Sequence, residues 1–326
     1  MAHKFRNSRL FWLIKNICCL VRCDIYKEIE TLKYQQQKIT TDSDGLIYMG
    51  ILKRKIIEYY MVNPELPGDF SNEISHIKNT NDLIFPYKKT KTIEHVSAGI
   101  DSDLQMPYVI HNGKKLYFPA QMTIDNAIGT YRNYIENENI LGGGYREKEP
   151  HKYESEQIKV EDGDVLLDIG CAEALFALDH IEKVKKVYLI ESDPYWIDAL
   201  NATFKPYADK VTIVRKYISD KDTENSVTLK TLLQNDESDS LYIKMDIEGY
   251  ERMVLDSSIK FLAGKKKVKM ACCTYHRAKD FDELSALLAS NGFRTEASDG
   301  YMIFPFGGEL QPPYFRKGVL RAEKKS

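Results

Sequence analysis

Apolar runs of strand length recur through the second half of the chain, and helical spacing of apolar positions follows most of them. Residues 164–170 read as a first strand and 174–183 as its helix. A second strand at 186–192 leads into a helix over 194–207, with Pro194 suitably placed in its first turn. Residues 211–219 and 241–247 are the third and fourth strands, the latter followed by a helix through Leu262. The fifth strand is 268–276, and its helix, 281–290, is closed by Asn291-Gly292. Two last strands, near 300–306 and 318–322, are expected to pair as an antiparallel hairpin. The pattern predicts an α/β fold: an open, Rossmann-like, mostly parallel sheet with an antiparallel last strand.

Residues 1–150 are less regular and are expected to form a smaller α+β region on the acceptor side of the main domain, 151–326. Within it, 108–111 and 115–118 flank Asn112-Gly113, a dipeptide suited to a type I′ turn, so a β-hairpin is expected. A helix over 124–138 follows, and Gly142-Gly143-Gly144 breaks the pattern. Those glycines could hinge a lid carrying Arg146, His151, Lys152 and Tyr153.

An apolar stretch at 10–21 is interrupted by Lys15 and Asn16 and is too short to cross a bilayer. Residues 1–40 hold eight Lys/Arg against three Asp/Glu, so this segment could lie on the inner membrane face. Docking against the rest of the protein is the reading preferred here.

Composition adds exclusions. With 43% apolar and 29% charged residues the chain is of ordinary globular type, and a formal net charge of −2 lacks the basic bias of a nucleic-acid binder. No nucleic-acid partner is expected, and nothing bars a homo-oligomer. Cys18, Cys19, Cys23, Cys171, Cys272 and Cys273 show no paired Cys-x-x-Cys spacing, which suits reduced thiols in the cytoplasm. Cys19-x-x-x-Cys23 lacks the third cysteine of a radical-type iron–sulfur site, because position 26 is Tyr26.

The turn after the first strand reads Asp168-Ile169-Gly170-Cys171-Ala172-Glu173-Ala174. A dinucleotide site needs Gly-x-Gly-x-x-Gly so that backbone amides can approach a pyrophosphate. Ala172, Glu173 and the residues after them stand where glycines belong, and Glu173 would face a phosphate with like charge. The cationic sulfonium and amino groups of S-adenosylmethionine suit Asp168, Gly170 and Cys171 better. Glu191, about 20 residues beyond, is placed to accept from ribose hydroxyls. Glu191, Ser192 and Asp193 also read as a capping cluster for the next helix. Ser219 and Asp220 are candidates for the adenine end.

The fourth strand ends in Lys244-Met245-Asp246-Ile247-Glu248-Gly249-Tyr250-Glu251. Lys244, Asp246 and Glu248 are spaced by two and share one face if the strand continues that far. Asp246 is assigned to the cofactor's cationic end or the acceptor, Glu248 to the acceptor, and His276 to the role of base. Glu251 reads as a first-turn carboxylate. Asp246, Glu248 and His276 could also ligate a divalent metal, a reading not favoured at this point.

With these motifs, 160–305 resembles the FkbM-type methyltransferases, through residues 165–170, residues 243–251 and the strand ending in His276. The resemblance implies a class I methyltransferase fold, S-adenosylmethionine as cofactor, and O-methylation of a sugar, a glycan intermediate or a small metabolite. Many relatives serve surface-polysaccharide or natural-product pathways. Two positions depart from the family pattern: Ala174 stands where a glycine is usual, and Thr274 where a Glu is usual. The competing readings are a nucleotide-sugar glycosyltransferase using Asp246 and Glu248 as a metal motif, and a non-catalytic binding protein of the same fold. The segment 312–317, with Pro312, Tyr314, Phe315, Arg316 and Lys317, is expected to give the acceptor an aromatic and cationic rim.

Overall fold

Near-continuous apolar runs belong to strands buried on both faces, and Val165–Ile169 (β1) is buried at every position. It lies inside a seven-stranded sheet, fifth in its order. The others are Lys186–Ile190 (β2), Val211–Val214 (β3), Ser240–Met245 (β4), Lys267–Cys273 (β5), Arg294–Ala297 (β6) and Val319–Lys325 (β7). The order is β6-β7-β5-β4-β1-β2-β3, and β7 runs antiparallel to both its neighbours. This is the class I methyltransferase sheet.

The computed structural model describes residues 47–65, 70–89, 92–142, 149–306 and 310–325. The expectations for 10–21, for Cys18, Cys19 and Cys23, for Gly143 and Gly144 and for Arg146 lie outside them. The chain forms two compact units, Met1–Tyr59 and Tyr60–Ser326. Everything below concerns the second. Among the described residues no helix is long and apolar enough to cross a membrane.

Alternation along the strands divides the core between two faces. On one, Leu166, Leu189, Tyr242 and Ala271 pack with Leu175 and Leu178 of Leu175–His180 (α1) and Leu200 and Phe204 of Pro194–Phe204 (α2). On the other, Leu167, Ile190, Ile243 and Met270 meet Val254 and Leu255 of Glu251–Ala263 (α3) and Leu284 and Leu288 of Asp280–Ser290 (α4). The first face also takes Val109, Leu116 and Phe118 into the same core. Val109 and Leu116 belong to a three-stranded sheet, Ala98–Ile100, Pro107–His111 and Lys114–Tyr117, and Phe118 follows its last strand. Its hairpin turns at Asn112 and Gly113, both at positive φ as a type I′ turn requires.

Several expected boundaries differ. The sixth strand is Arg294–Ala297, not 300–306, where Met302 makes only an isolated bridge to Arg316. An edge strand needs no apolar run, so its polar sequence hid it, while the apolar Ile303 serves a loop and bonds to Ile84 O. The expected strand 211–219 is split: Tyr217–Ile218 leaves β3 and pairs with Ser226–Val227. The helix expected over 124–138 changes to a π-helix at Asn133–Glu138.

Candidate active site

Gly170 sets the geometry at the carboxyl ends of the strands. Its φ is +67°, and a Cβ there would stand 1.9 Å from the Asp246 carbonyl oxygen, so only glycine lets the two strand ends approach. Asp246 N donates to Ile169 O at 3.1 Å across this contact. Ala172 and Ala174 are also left-handed, at φ +46° and +60°. The usual family glycine at 174 thus has a backbone reason, and Ala174 holds a conformation costing about 1 kcal/mol.

A cavity of about 830 Å³ opens along these ends. Its lining includes Gly170, Ala172, Glu191, Ser192 and Trp196, Lys216 to Ser219, and Asp246, Ile247 and Glu248. Glu191 accepts from Ala172 N at 2.9 Å and Asp193 N at 2.8 Å, so it pins the β1 turn to the start of α2 while bordering the cleft. Asp193 caps α2 through Tyr195 N. Asp220 does not line the cleft and accepts instead from Ser219 Oγ. Cys171 is buried behind the turn.

A second, smaller cavity of about 90 Å³ shares Gly170, Ala172 and Asp246 with the cleft. Its carboxylates are Glu138, Asp168, Glu173 and Asp246, and its single ammonium is Lys244. Asp168 is almost fully buried and reaches this cavity, not the main cleft; neither carboxylate oxygen has a hydrogen-bond partner. Lys244 Nζ lies 3.2 Å from Asp168 Oδ1 and donates to Gly170 O at 2.6 Å. Burial raises the Asp168 pKa against the pull of Lys244, whose own pKa rises because nearby carboxylates outweigh its burial. The expected common face of Lys244, Asp246 and Glu248 does not form. β4 ends at Met245, Glu248 takes φ +58° and is exposed, and Lys244 supports the turn from beneath.

Burial pushes Glu173 up to about 7, with its own backbone, Lys244 and Tyr134 opposing. Its folded pKa therefore exceeds the unfolded 4.5. Below pH 4.5 both states are protonated and the group contributes nothing; as pH rises toward 7 the unfolded chain alone ionises and stability falls. Glu173→Gln should remove that loss, about 3 kcal/mol at most for such a shift. Thermal denaturation should show the variant more stable than wild type above pH 7 and equal to it at pH 4; a pH-independent difference would refute the assignment.

Asp246 is the convergence point. Tyr153 OH donates to it at 3.2 Å and Tyr275 OH at 3.1 Å; His151 Nε2 is 3.7 Å away and His276 Nε2 3.4 Å. Burial opposes its charge, but His151, Lys244 and His276 hold the carboxyl well below the usual range. His151 and Tyr153 arrive because Arg321 of β7 donates to the carbonyls of Lys152 and Glu154, and Tyr242 OH to that of Tyr153. His151 Nδ1 in turn faces Glu138 at 3.6 Å, delivered by the π-helix. Sequence reading placed His151 and Tyr153 only in a lid; no local motif marks residues whose role comes from a β7 arginine.

His276 is buried, with Nδ1 3.3 Å from Glu251 Oε1 and Nε2 3.6 Å from Glu248 Oε2. Burial lowers its pKa, but Glu251, Asp246 and Glu248 outweigh that and raise it above the ordinary imidazole value. Arg316 holds the strand end by donating to the carbonyls of Tyr275 and His276 at 2.6 and 2.7 Å. The rim expected of 312–317 is therefore absent as drawn: Tyr314 and Phe315 are buried, and Phe315 stacks on Phe70. Thr274 Oγ1 donates to Lys317 O, and the carboxylate beside His276 comes from Glu251, which also accepts from Ile247 N.

The segment running from the end of α2 to the start of β6 has a known counterpart. Residues 205–295 match the Methyltransferase FkbM domain. That match spans the Asp246–Glu251 string and His276. No curated protein matches the chain. Among solved structures, precorrin-6y C5,15-methyltransferase from Geobacter metallireducens GS-15 is similar at 15% identity and TM-score 0.35, covering 52% of this chain and 84% of that one. M. jannaschii TYW2 in complex with AdoMet is similar at 14% identity and TM-score 0.39, covering 67% and 85%. At such scores the fold rests on the strand order itself.

Proposed function

We propose that this protein transfers a methyl group from S-adenosylmethionine to a hydroxyl oxygen of a sugar, glycan intermediate or small metabolite. The carrying observation is the set of carboxylates at the β1 turn, which burial makes ready to ionise against a cation. Four carboxylates face one ammonium around the small cavity, where a pyrophosphate site would present bare backbone amides. Such a surplus suits a cationic ligand end and opposes a diphosphate.

The donor supplies an electrophilic methyl on a sulfonium. Glu191, though held by two backbone amides, keeps acceptor capacity for ribose hydroxyls. Trp196, Ile190 and Ile218 offer the apolar flank that an adenine needs. Asp246 and Glu173 oppose the cationic end. On the acceptor side, Glu248 and His276 orient the hydroxyl, and His276 takes its proton once positive charge beside Asp246 offsets the carboxylate field.

Calorimetry with S-adenosylhomocysteine and with UDP tests this reading. S-adenosylhomocysteine should bind, UDP should not, and Glu191→Ala should weaken binding by about tenfold or more, the loss of a charged hydrogen bond. Binding of UDP alone would replace the reading with nucleotide-sugar chemistry.

A further inference from the structure

We infer that Glu251 is a positioning residue for methyl transfer: it keeps the proton of the neutral His276 ring on Nδ1, so that the bare Nε2 meets the acceptor hydroxyl. The inference rests on the base role given to His276 above and adds the group that sets its tautomer.

A neutral imidazole carries one ring proton, and only the other nitrogen can act as base. Three carboxylates compete for that proton. Glu251 Oε1 lies 3.3 Å from Nδ1, while Asp246 Oδ1 and Glu248 Oε2 lie 3.4 and 3.6 Å from Nε2. Both ring nitrogens and Oε2 of Glu251 are buried and have no hydrogen-bond partner among the described residues. Buried polar atoms left unpaired are costly, so a small rotation that pairs Nδ1 with Glu251 is favoured. Hydrogen bonds of catalytic groups are often long before substrate binds and tighten in the complex.

The three carboxylates are not equivalent. Glu251 is fully buried, and its Oε1 accepts from Ile247 N at 2.8 Å, so it is fixed and shared with one backbone donor. Asp246 already accepts from the hydroxyls of Tyr153 and Tyr275 on its two oxygens. Glu248 is exposed, and water competes for it. The ring proton therefore settles toward the least shared and least hydrated carboxylate, on Nδ1. A cationic donor beside Asp246 weakens its pull on Nε2 and deepens that preference.

The other neighbours leave Nδ1 to Glu251. Asp280 accepts from Arg277 N at 3.0 Å, and burial, with Glu251 adding to the effect, pushes its pKa up to about 6. Arg316 donates to the His276 carbonyl, not to the ring. Thr274 gives its hydroxyl to Lys317 O and offers no carboxylate. Phe304 packs edge-on at 5.1 Å and Tyr275 at 4.2 Å, which holds the plane of the imidazole. In the transfer itself the acceptor oxygen bonds to the methyl carbon as the sulfur–carbon bond breaks. The hydroxyl proton passes to Nε2, leaving the O-methyl product, S-adenosylhomocysteine and an imidazolium that donates from both nitrogens.

The test reads the tautomer directly, by long-range ¹H–¹⁵N NMR of the full chain labelled with [¹⁵N]histidine, at a pH high enough to deprotonate the ring. Signals of His276 are those lost in His276→Gln. Wild type should show Nδ1 protonated and Nε2 bare. Glu251→Gln keeps an acceptor for Ile247 N but turns an amide donor toward Nδ1, so the tautomer should reverse, as an Asp-to-Asn change behind a catalytic histidine does. Glu251→Asp, which retains the charge, should restore the Nδ1–H form in part. A helix-capping role alone would leave the tautomer of Glu251→Gln unchanged, and that result would overturn the inference. So would a wild-type ring protonated on Nε2, with no variant needed. Calorimetry with S-adenosylhomocysteine should give wild-type affinity for Glu251→Gln; it reads the cofactor site separately, so failure of one does not decide the other.

Discussion

Lys244→Met should destabilise the protein by about 3–5 kcal/mol at neutral pH, the cost of leaving a buried charge without its partner. Lys244 is the ammonium 3.2 Å from Asp168, whose two oxygens have no hydrogen-bond partner. It also satisfies the Gly170 carbonyl. Asp168 can respond only by taking up a proton, and its pKa is already raised by burial. The loss should therefore shrink as pH falls, because protonation removes the orphaned charge. Asp168→Asn combined with Lys244→Met should recover much of it, since no buried charge then remains. Urea denaturation of the two single variants and the double variant measures all three quantities. If Lys244→Met cost less than a surface substitution, Lys244 would have to act elsewhere, as the acceptor-facing residue its spacing suggests.

Asp246→Asn should reduce methyl transfer by about 10²–10³, the scale on which removing one preorganised electrostatic group acts. The isosteric amide keeps the volume but replaces a carboxylate oxygen by a donor. Tyr153 and Tyr275 both donate to this carboxylate, so one of them would meet a like donor. The charge that faces His151 and His276 is lost as well. A binding signature separates this from general disorder: S-adenosylmethionine carries a sulfonium and S-adenosylhomocysteine does not. Affinity for the former should fall more than for the latter, as two calorimetric titrations would show. Equal losses would place Asp246 away from the sulfonium.

Much of the frame was legible in the chain because burial on both faces leaves a local mark. β1, β2, β4 and β5 each carry an apolar run. Asn112-Gly113 marks its hairpin by backbone chemistry alone, and Gly170 marks the turn. The edge was illegible for the converse reason: Arg294–Ala297 needs no apolar face, so Ile303 and Phe304 drew the expected strand toward themselves.

The active-site candidates divide in the same way. Asp168, Gly170, Glu191, Asp246, Glu248 and His276 stand at strand ends, and strand ends can be read from where apolar runs stop. Orientation could not be read. Period-two spacing put Lys244 beside Asp246 and Glu248 on one face, yet β4 stops at Met245 and Glu248 enters the left-handed region. The chain alone determined the layered α/β frame and which residues stand at its strand ends. Tertiary structure decided which way those residues face, and it brought His151, Tyr153 and Glu138 to Asp246. Those partners come from distant segments, and their placement depends on side-chain bonds such as those of Arg321, which leave no periodic trace in the sequence.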